Sequence, residues 1–348
     1  MLRETARRAW PLWALLALMF ASAAWSDDSW AALAGAALVA ALFATALVQA
    51  AGPGITPVLR GLAVGTVTVL VLSLAVAVVD PLAGVNDLNY QRGALRGIFS
   101  HRNTLGYTLA IGAPALVALA PRTLGGRIAR IVAIVAVVAG TVATQSATAL
   151  VAVGISAVIA LVLFIVRRTP GRRARVLTAG IGLSVLVVAG AAWTAVSELL
   201  GRSSDLTGRT YIWRAAWQVA SERPVVGFGW NSVWNYAQDP GLRIQRKLGY
   251  HFSHPHDAWL EVMLSLGLVG LAVVVWLLAA TAWRAAHAAR GTSRAAYWFP
   301  LVVAVTLVYT VPETMLTRPL GLWLLALVLL LAVRDRVETD AEAVTPER

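Results

Sequence analysis

The chain has no cysteine, a single lysine and few charges of either sign. Without cysteine there can be no disulfide, no thiolate metal site and no cysteine nucleophile. Charged residues make up only 13% of 348 positions, and 59% are hydrophobic. Mean hydropathy is +0.72. A soluble chain of this length exposes far more charge, so the composition indicates a polytopic membrane protein. Acidic residues are the scarcer sign, 17 against 29 basic, for a net charge of +12. Such an excess suits a nucleic-acid binder. Here, however, the arginines lie mainly in short segments between apolar runs, and no nucleic-acid motif accompanies them. That is the pattern of membrane topology.

Long apolar runs are what the sequence has in abundance. A bilayer core of ~30 Å needs ~20 mostly apolar residues per helix. Runs of this kind lie near 9–25, 30–50, 58–79, 104–120, 127–145, 149–166, 176–195, 258–280, 296–311 and 319–333. The uncharged stretch from Ile131 to Val166 is too long for one span and is divided at the small polar residues Thr144 to Thr148. The expected fold is an all-α polytopic membrane protein with about ten transmembrane helices. One large extracytoplasmic loop, 196–257, joins the seventh helix to the eighth. The basic segment before the first run resembles a signal peptide, but nine further spans favour a retained first helix. Placing both termini in the cytoplasm puts 18 basic residues inside and 11 outside, seven of the latter in the large loop, in keeping with the positive-inside rule. Trp10, Trp25, Trp30, Trp193, Trp283 and Trp298 fall at helix ends, where indole favours the interface. Residues 1–333 are read as one transmembrane domain and 334–348 as a polar, disordered cytoplasmic tail.

Two outer segments exceed turn length, Asp80 to Asn103 and Val196 to Asp257. The second holds His251, His254, His256, six arginines and Lys247. A connection needs only a few residues, so a loop this rich in ionisable groups points to chemistry or recognition. Within it, Gly208 to Trp217 has helical spacing, with Trp213, Ala216, Trp217 and Ala220 on one stripe. This reads equally as an amphipathic helix lying on the membrane with solvated arginines. Pro224 ends it, and Gly227 and Gly229 allow a tight turn. His254-Pro255-His256-Asp257 closes the loop. Asp257 stands where a helix N-cap is expected. A histidine at the helix mouth can act as general base. The three histidines could also bind zinc, but cysteine is absent and carboxylates nearby are few, so no metal is expected. His101, Arg102 and Asn103 close the other outer segment, either as an interfacial anchor or as a cationic patch for an anion. Glu261 and Glu313 are acids in apolar surroundings that need partners, Arg318 being a candidate for Glu313.

These pieces together resemble the O-antigen ligase and polymerase superfamily, most nearly its exopolysaccharide-polymerisation branch. Gly97-Ile98-Phe99-Ser100-His101-Arg102-Asn103-Thr104-Leu105-Gly106 is similar to that branch's Gly-x-Phe-x-His-Lys-Asn-x-x-Gly segment. Gln145 to Leu150 resembles its Ser-rich turn, and Gly208 to Trp213 with Pro224, Gly227 and Gly229 its loop motif. His254 to Asp257, followed by Gly267 and Gly270, resembles its His-Asn and Gly-x-x-Gly segment. The resemblance covers most of residues 97–270. Two positions depart from it: Ala147 stands where a basic residue is usual, and Asp257 where Asn is usual.

The resemblance implies a bacterial cytoplasmic-membrane enzyme that acts on polyprenyl-diphosphate-linked glycans at the extracytoplasmic face. It would transfer the glycan to a hydroxyl of a glycan, lipid or other acceptor, by inversion and without metal or cofactor. The implied catalytic residues are His256 as base and Arg209 on the diphosphate. Arg102, Arg214, His101, Asn103, His254 and Asp257 are the expected substrate contacts. A polytopic lipid or polysaccharide transporter is the alternative; it would show mid-membrane substrate contacts and broken helices, and the sequence has no internal repeat. A membrane scaffold is a third possibility, but it leaves the loop histidines without a role.

Overall fold

The computed structural model describes all residues except 1, 87–91, 169–170, 174–175, 178–179, 185–186, 189–208, 235–238, 249–253, 291–292 and 345–348. The described residues fold into α1 (Leu2–Arg8), α2 (Trp10–Ala21), α3 (Ser29–Ala51), α4 (Ile55–Val79), α5 (Pro81–Gly84), α6 (Arg102–Ala118), α7 (Leu124–Ala143) and α8 (Ala147–Arg168). They continue with α9 (Arg209–Ala220), α10 (Gly241–Leu248), α11 (Ala258–Ala288), α12 (Trp298–Val308) and α13 (Pro319–Val344). The chain is thus an all-α membrane protein. Five helices are long and apolar enough to cross a bilayer: α3, α4, α7, α8 and α11. α2, α12 and α13 contribute shorter apolar stretches. Eight of the ten expected spans coincide with these helices, and 104–120 coincides with α6. The other, 176–195, lies largely outside the described residues, as does His251.

The chain separates into two compact units, each assembled from distant stretches of sequence. The last helix, α13, runs on to Val344, past the boundary at 333 expected for the membrane domain. Its last eleven residues, Arg334 to Val344, contain two Glu and two Ala and no Gly or Pro. Propagating an existing helix through such residues costs little, whereas starting one is expensive.

Unit 2 (54–207 and 289–308) is built around α6, against which α4, α7, α8 and α12 pack. A Cβ on Gly112 would lie 1.8 Å from Thr66 Oγ1, so the missing side chain is what lets α4 come this close. His101 caps α6, its Nδ1 accepting from the Asn103 amide at 3.2 Å.

Unit 1 (1–53, 208–288 and 309–348) contains α1 to α3, α9 to α11 and α13. α13 packs on α3 and α11, and α9 on α11. The polar stretch from 209 onward is not a loose connection. Ala215, Ala216, Val219 and Ala220 of α9, with Phe228, Val233 and Ile244, form a core against Leu260, Met263 and Leu264 of α11. α11 is interrupted at Gly267, where φ is 63° and ψ −159°. The segment 224–229 fills the break. Phe228 and Gly229 donate to the carbonyls of Leu264 and Ser265 at 2.9 Å each, and Leu268 and Val269 donate to those of Pro224 and Val225 at 2.8 and 3.1 Å. Thus backbone groups freed by the kink are satisfied by backbone rather than left bare in an apolar setting. The close approach needs glycine on both sides: a Cβ on Gly227 would lie 2.6 Å from the Ser265 carbonyl carbon, and one on Gly267 2.4 Å from that of Val225. The transporter alternative led one to expect a broken helix, but this break is closed by the chain itself.

Candidate functional site

The site in unit 1 is assembled at the start of α11. Asp257 caps this helix, its Oδ1 accepting from the Leu260 amide at 2.8 Å. The Ala258 amide donates to the Thr310 carbonyl at 2.9 Å, which ties the helix start to the segment after α12. Asp257 is therefore occupied as the cap that its position suggested. Burial pushes its carboxyl above the usual range, against the two backbone amides of Leu260 and Trp259. His256 just before it has φ 55°, a left-handed conformation unfavourable for a side chain of this size. Trp213 of α9 donates its indole N–H to the Pro255 carbonyl at 2.9 Å and so braces the turn. Strain held in place by surrounding contacts is a feature of functional sites.

The turn presents His256 to Glu313. His256 Nδ1 lies 3.1 Å from Glu313 Oε2. Arg209, the first residue of α9, donates from Nη2 to Glu313 Oε1 at 3.0 Å and from Nη1 to the Pro312 carbonyl. Glu313 is only 2% exposed, whereas the His256 side chain is 22% exposed, so the acid forms the floor and the imidazole faces the opening. Burial alone would raise the Glu313 carboxyl. The His256 hydrogen bond and the Arg209 charge outweigh it and hold the group well below the ordinary carboxylate range. His254 stacks on His256, ring centroids 4.1 Å apart. Burial, then the neighbouring His256 and Arg318, push His254 down to about 3, so it is neutral at physiological pH. With Glu313 accepting the Nδ1 proton of His256, Nε2 is left as an acceptor. This is the orientation a general base needs.

The structure thus brings together Arg209, His254 and His256 from the expected set and adds Glu313. Arg209 and His256, 104 and 57 residues away in sequence, engage that acid. Glu261 is held from below by Trp234, whose indole donates to both carboxylate oxygens at 3.0 and 2.8 Å. Arg214 is exposed and takes no part in these ion pairs. The aromatic stripe expected on α9 is also different: its buried side is Ile212, Ala215, Ala216, Val219 and Ala220, while Trp217 is 58% exposed. Trp298, expected at the interface, is fully buried. Donor atoms of His254, His256 and Glu313 lie within 4.8 Å of one another and could hold a metal ion. The Arg209 guanidinium, already on Glu313, opposes a second cation there.

The other expected residues lie in unit 2. Arg102 is 2% exposed, and its Nη1 donates to the Thr144 and Gln145 carbonyls at 3.3 and 2.6 Å. It holds the turn between α7 and α8, a structural engagement that the expected role as anion ligand did not include. Its Nε has no hydrogen-bond partner among the described residues. Asn103 is buried beside it and Ala147, in the Ser-rich turn, is fully buried. His101 is exposed apart from its capping bond.

The O-antigen ligase family model matches residues 131–275, which include the filled break, α9 and the His254 to Asp257 turn. Over that stretch the chain is similar to the O-antigen ligase family. It is similar to the exopolysaccharide production protein ExoQ of Rhizobium meliloti (strain 1021), 26% identical over 241 residues, or 63% of this chain and 52% of that protein. The chain therefore spans about half the length of that curated relative. Glu313 lies outside the stretch that the family model covers.

Proposed function

We propose that the protein transfers a glycan from a polyprenyl-diphosphate-linked donor to a hydroxyl acceptor at the extracytoplasmic face of the bacterial inner membrane, polymerising or ligating cell-surface polysaccharide. The observation that carries this reading is the Arg209–Glu313–His256 chain. A buried acid fixes the imidazole on one side and an arginine on the other, next to an opening. The similarity to the O-antigen ligase family and to an exopolysaccharide production protein supports the substrate class.

In the proposed reaction, His256 Nε2 takes the proton of the acceptor hydroxyl as its oxygen attacks the anomeric carbon. The bond from that carbon to the diphosphate oxygen breaks, and polyprenyl diphosphate departs with both electrons. Direct attack inverts the anomeric centre. The leaving group needs charge stabilisation rather than a proton, and a guanidinium supplies it as a permanently charged, two-pronged donor. Arg209 is the residue proposed to supply it, and the reaction as proposed needs no metal.

Purified protein reconstituted with a lipid-linked glycan donor tests the proposal. A ladder of longer lipid-linked products, absent from His256→Ala, is the expected result for a polymerase. Transfer only on addition of a separate acceptor marks a ligase. Turnover by His256→Ala at the wild-type rate removes the general-base role, because that role is typically worth ~10²–10⁴-fold.

A further inference from the structure

At the opposite end of α6 from Arg102, unit 2 contains a second feature that the transfer reaction does not use. A crevice of about 500 Å³ is lined by Val117 of α6, Ala160, Leu161, Phe164 and Arg168 of α8, and Arg294 and Tyr297 before α12. Its size is within the ~300–1,000 Å³ of ordinary ligand sites. We propose that this crevice binds an anionic membrane phospholipid, with the phosphodiester between Arg168 and Arg294 and an acyl chain along Leu161 and Phe164.

The lining divides as such a ligand requires. Leu161 and Phe164 are 57% and 45% exposed, so the apolar side is open to the bilayer. The Arg168 guanidinium lies 4.2 Å from the centre of the Phe164 ring, which holds the charge at the rim of the apolar part. Arg294 donates from Nε to the Val117 carbonyl at 3.0 Å, which fixes its plane and leaves its Nη groups for a ligand. Neither arginine has a carboxylate partner among the described residues.

Neutralising the exposed carbonyls at the end of α6 explains part of the positive charge. Arg130 donates to the Leu119 carbonyl at 2.7 Å and Arg127 to that of Pro121 at 3.4 Å. It does not explain the total. Residues 117–131, 160–175 and 289–298 contain ten arginines and no Asp or Glu. A patch of one sign, bordering an apolar crevice between helices, selects a net anionic headgroup over a zwitterionic one, whose amine the arginines repel.

Native mass spectrometry of the purified full chain, with phosphatidylglycerol, phosphatidylcholine and inorganic phosphate as probes, tests the assignment. The expected result is preferential retention of phosphatidylglycerol, weakened roughly fivefold per arginine and ~25-fold in R168Q/R294Q. L161W, which fills the crevice and keeps both charges, should also lose the lipid, and it decides the matter if the double variant does not fold. R172Q/R173Q removes the same charge outside the crevice and should retain it. Equal loss in both double variants overturns the site in favour of diffuse attraction. Equal retention of phosphatidylcholine, or displacement of the lipid by millimolar phosphate, overturns the headgroup assignment. Undiminished binding by L161W overturns the acyl-chain position.

Discussion

Two carboxylate oxygens of one residue, Glu313, hold the base and the arginine of the site. Replacing it by Gln keeps the shape but removes the charge, so His256 loses the acceptor that fixes its tautomer. Turnover in Glu313→Gln is expected to fall by ~10²–10⁴-fold, with altered pH dependence and little change in donor binding. An unchanged pH profile with lower kcat would show that the acid only supports packing. His254 makes a different prediction. Its folded pKa, about 3, is below the ordinary histidine value of 6.5, so the unfolded state binds the extra proton first as pH falls. Its contribution to stability is therefore complete above about pH 6.5 and lost progressively toward pH 3. Glu313 acts in the same direction at lower pH, because its carboxyl is also held down. The melting temperature of the wild type should fall from pH 7.5 to 5.5, and that of His254→Gln should fall less. Parallel slopes would contradict this. At this scale the sequence disclosed the actors but not their connections. Arg209 and His256 stand in recognisable motifs, whereas Glu313 is a lone acid after a proline whose partners are far away in the chain. Arg102 was legible as the basic residue of its motif, but nothing local showed that two carbonyls of a distant turn engage it.

The element that determines the geometry is α11 with its break. Gly267 cannot be replaced without moving the 224–229 segment, since its φ is positive and a Cβ would lie 2.4 Å from Val225. Gly267→Ala and Gly227→Ala should each cost at least ~1–2 kcal/mol from backbone conformation alone. They should lower the melting temperature and, because α9 rests on α11, the activity. Gly65→Ala in α4, where a Cβ meets nothing within 4 Å, is the control and should be neutral or slightly stabilising. Equal melting temperatures for all three variants would rule out the packing role. The sequence showed the glycines and their spacing, but periodicity treats α11 as an ordinary span. Hydropathy located the helices well for the same reason: nine apolar runs are read by length alone. It could not show where a helix passes its end. α13 continues through polar residues because helix propagation does not require an apolar environment.

The whole molecule is organised by distant segments, and its orientation can be tested by using what the chain lacks. With no native cysteine, single substitutions report directly on side. Ser29→Cys, at the first residue of α3, should react with a membrane-impermeant maleimide from outside intact cells. Ala120→Cys, between α6 and α7, should react only after permeabilisation. The reverse pattern would invert the orientation inferred from the arginines. The division into two units was not legible in the sequence, because no composition shift marks it; the segments of each unit alternate along the chain.

That alternation has a temporal consequence. The ribosome delivers Arg209 first and His256 next, and Glu313 only after all of unit 2 has been made. A nascent chain already threaded into the bilayer therefore has a base without its anchor and an arginine without its counter-charge. The Arg209–Glu313–His256 chain can close only once the segment after α12 has emerged.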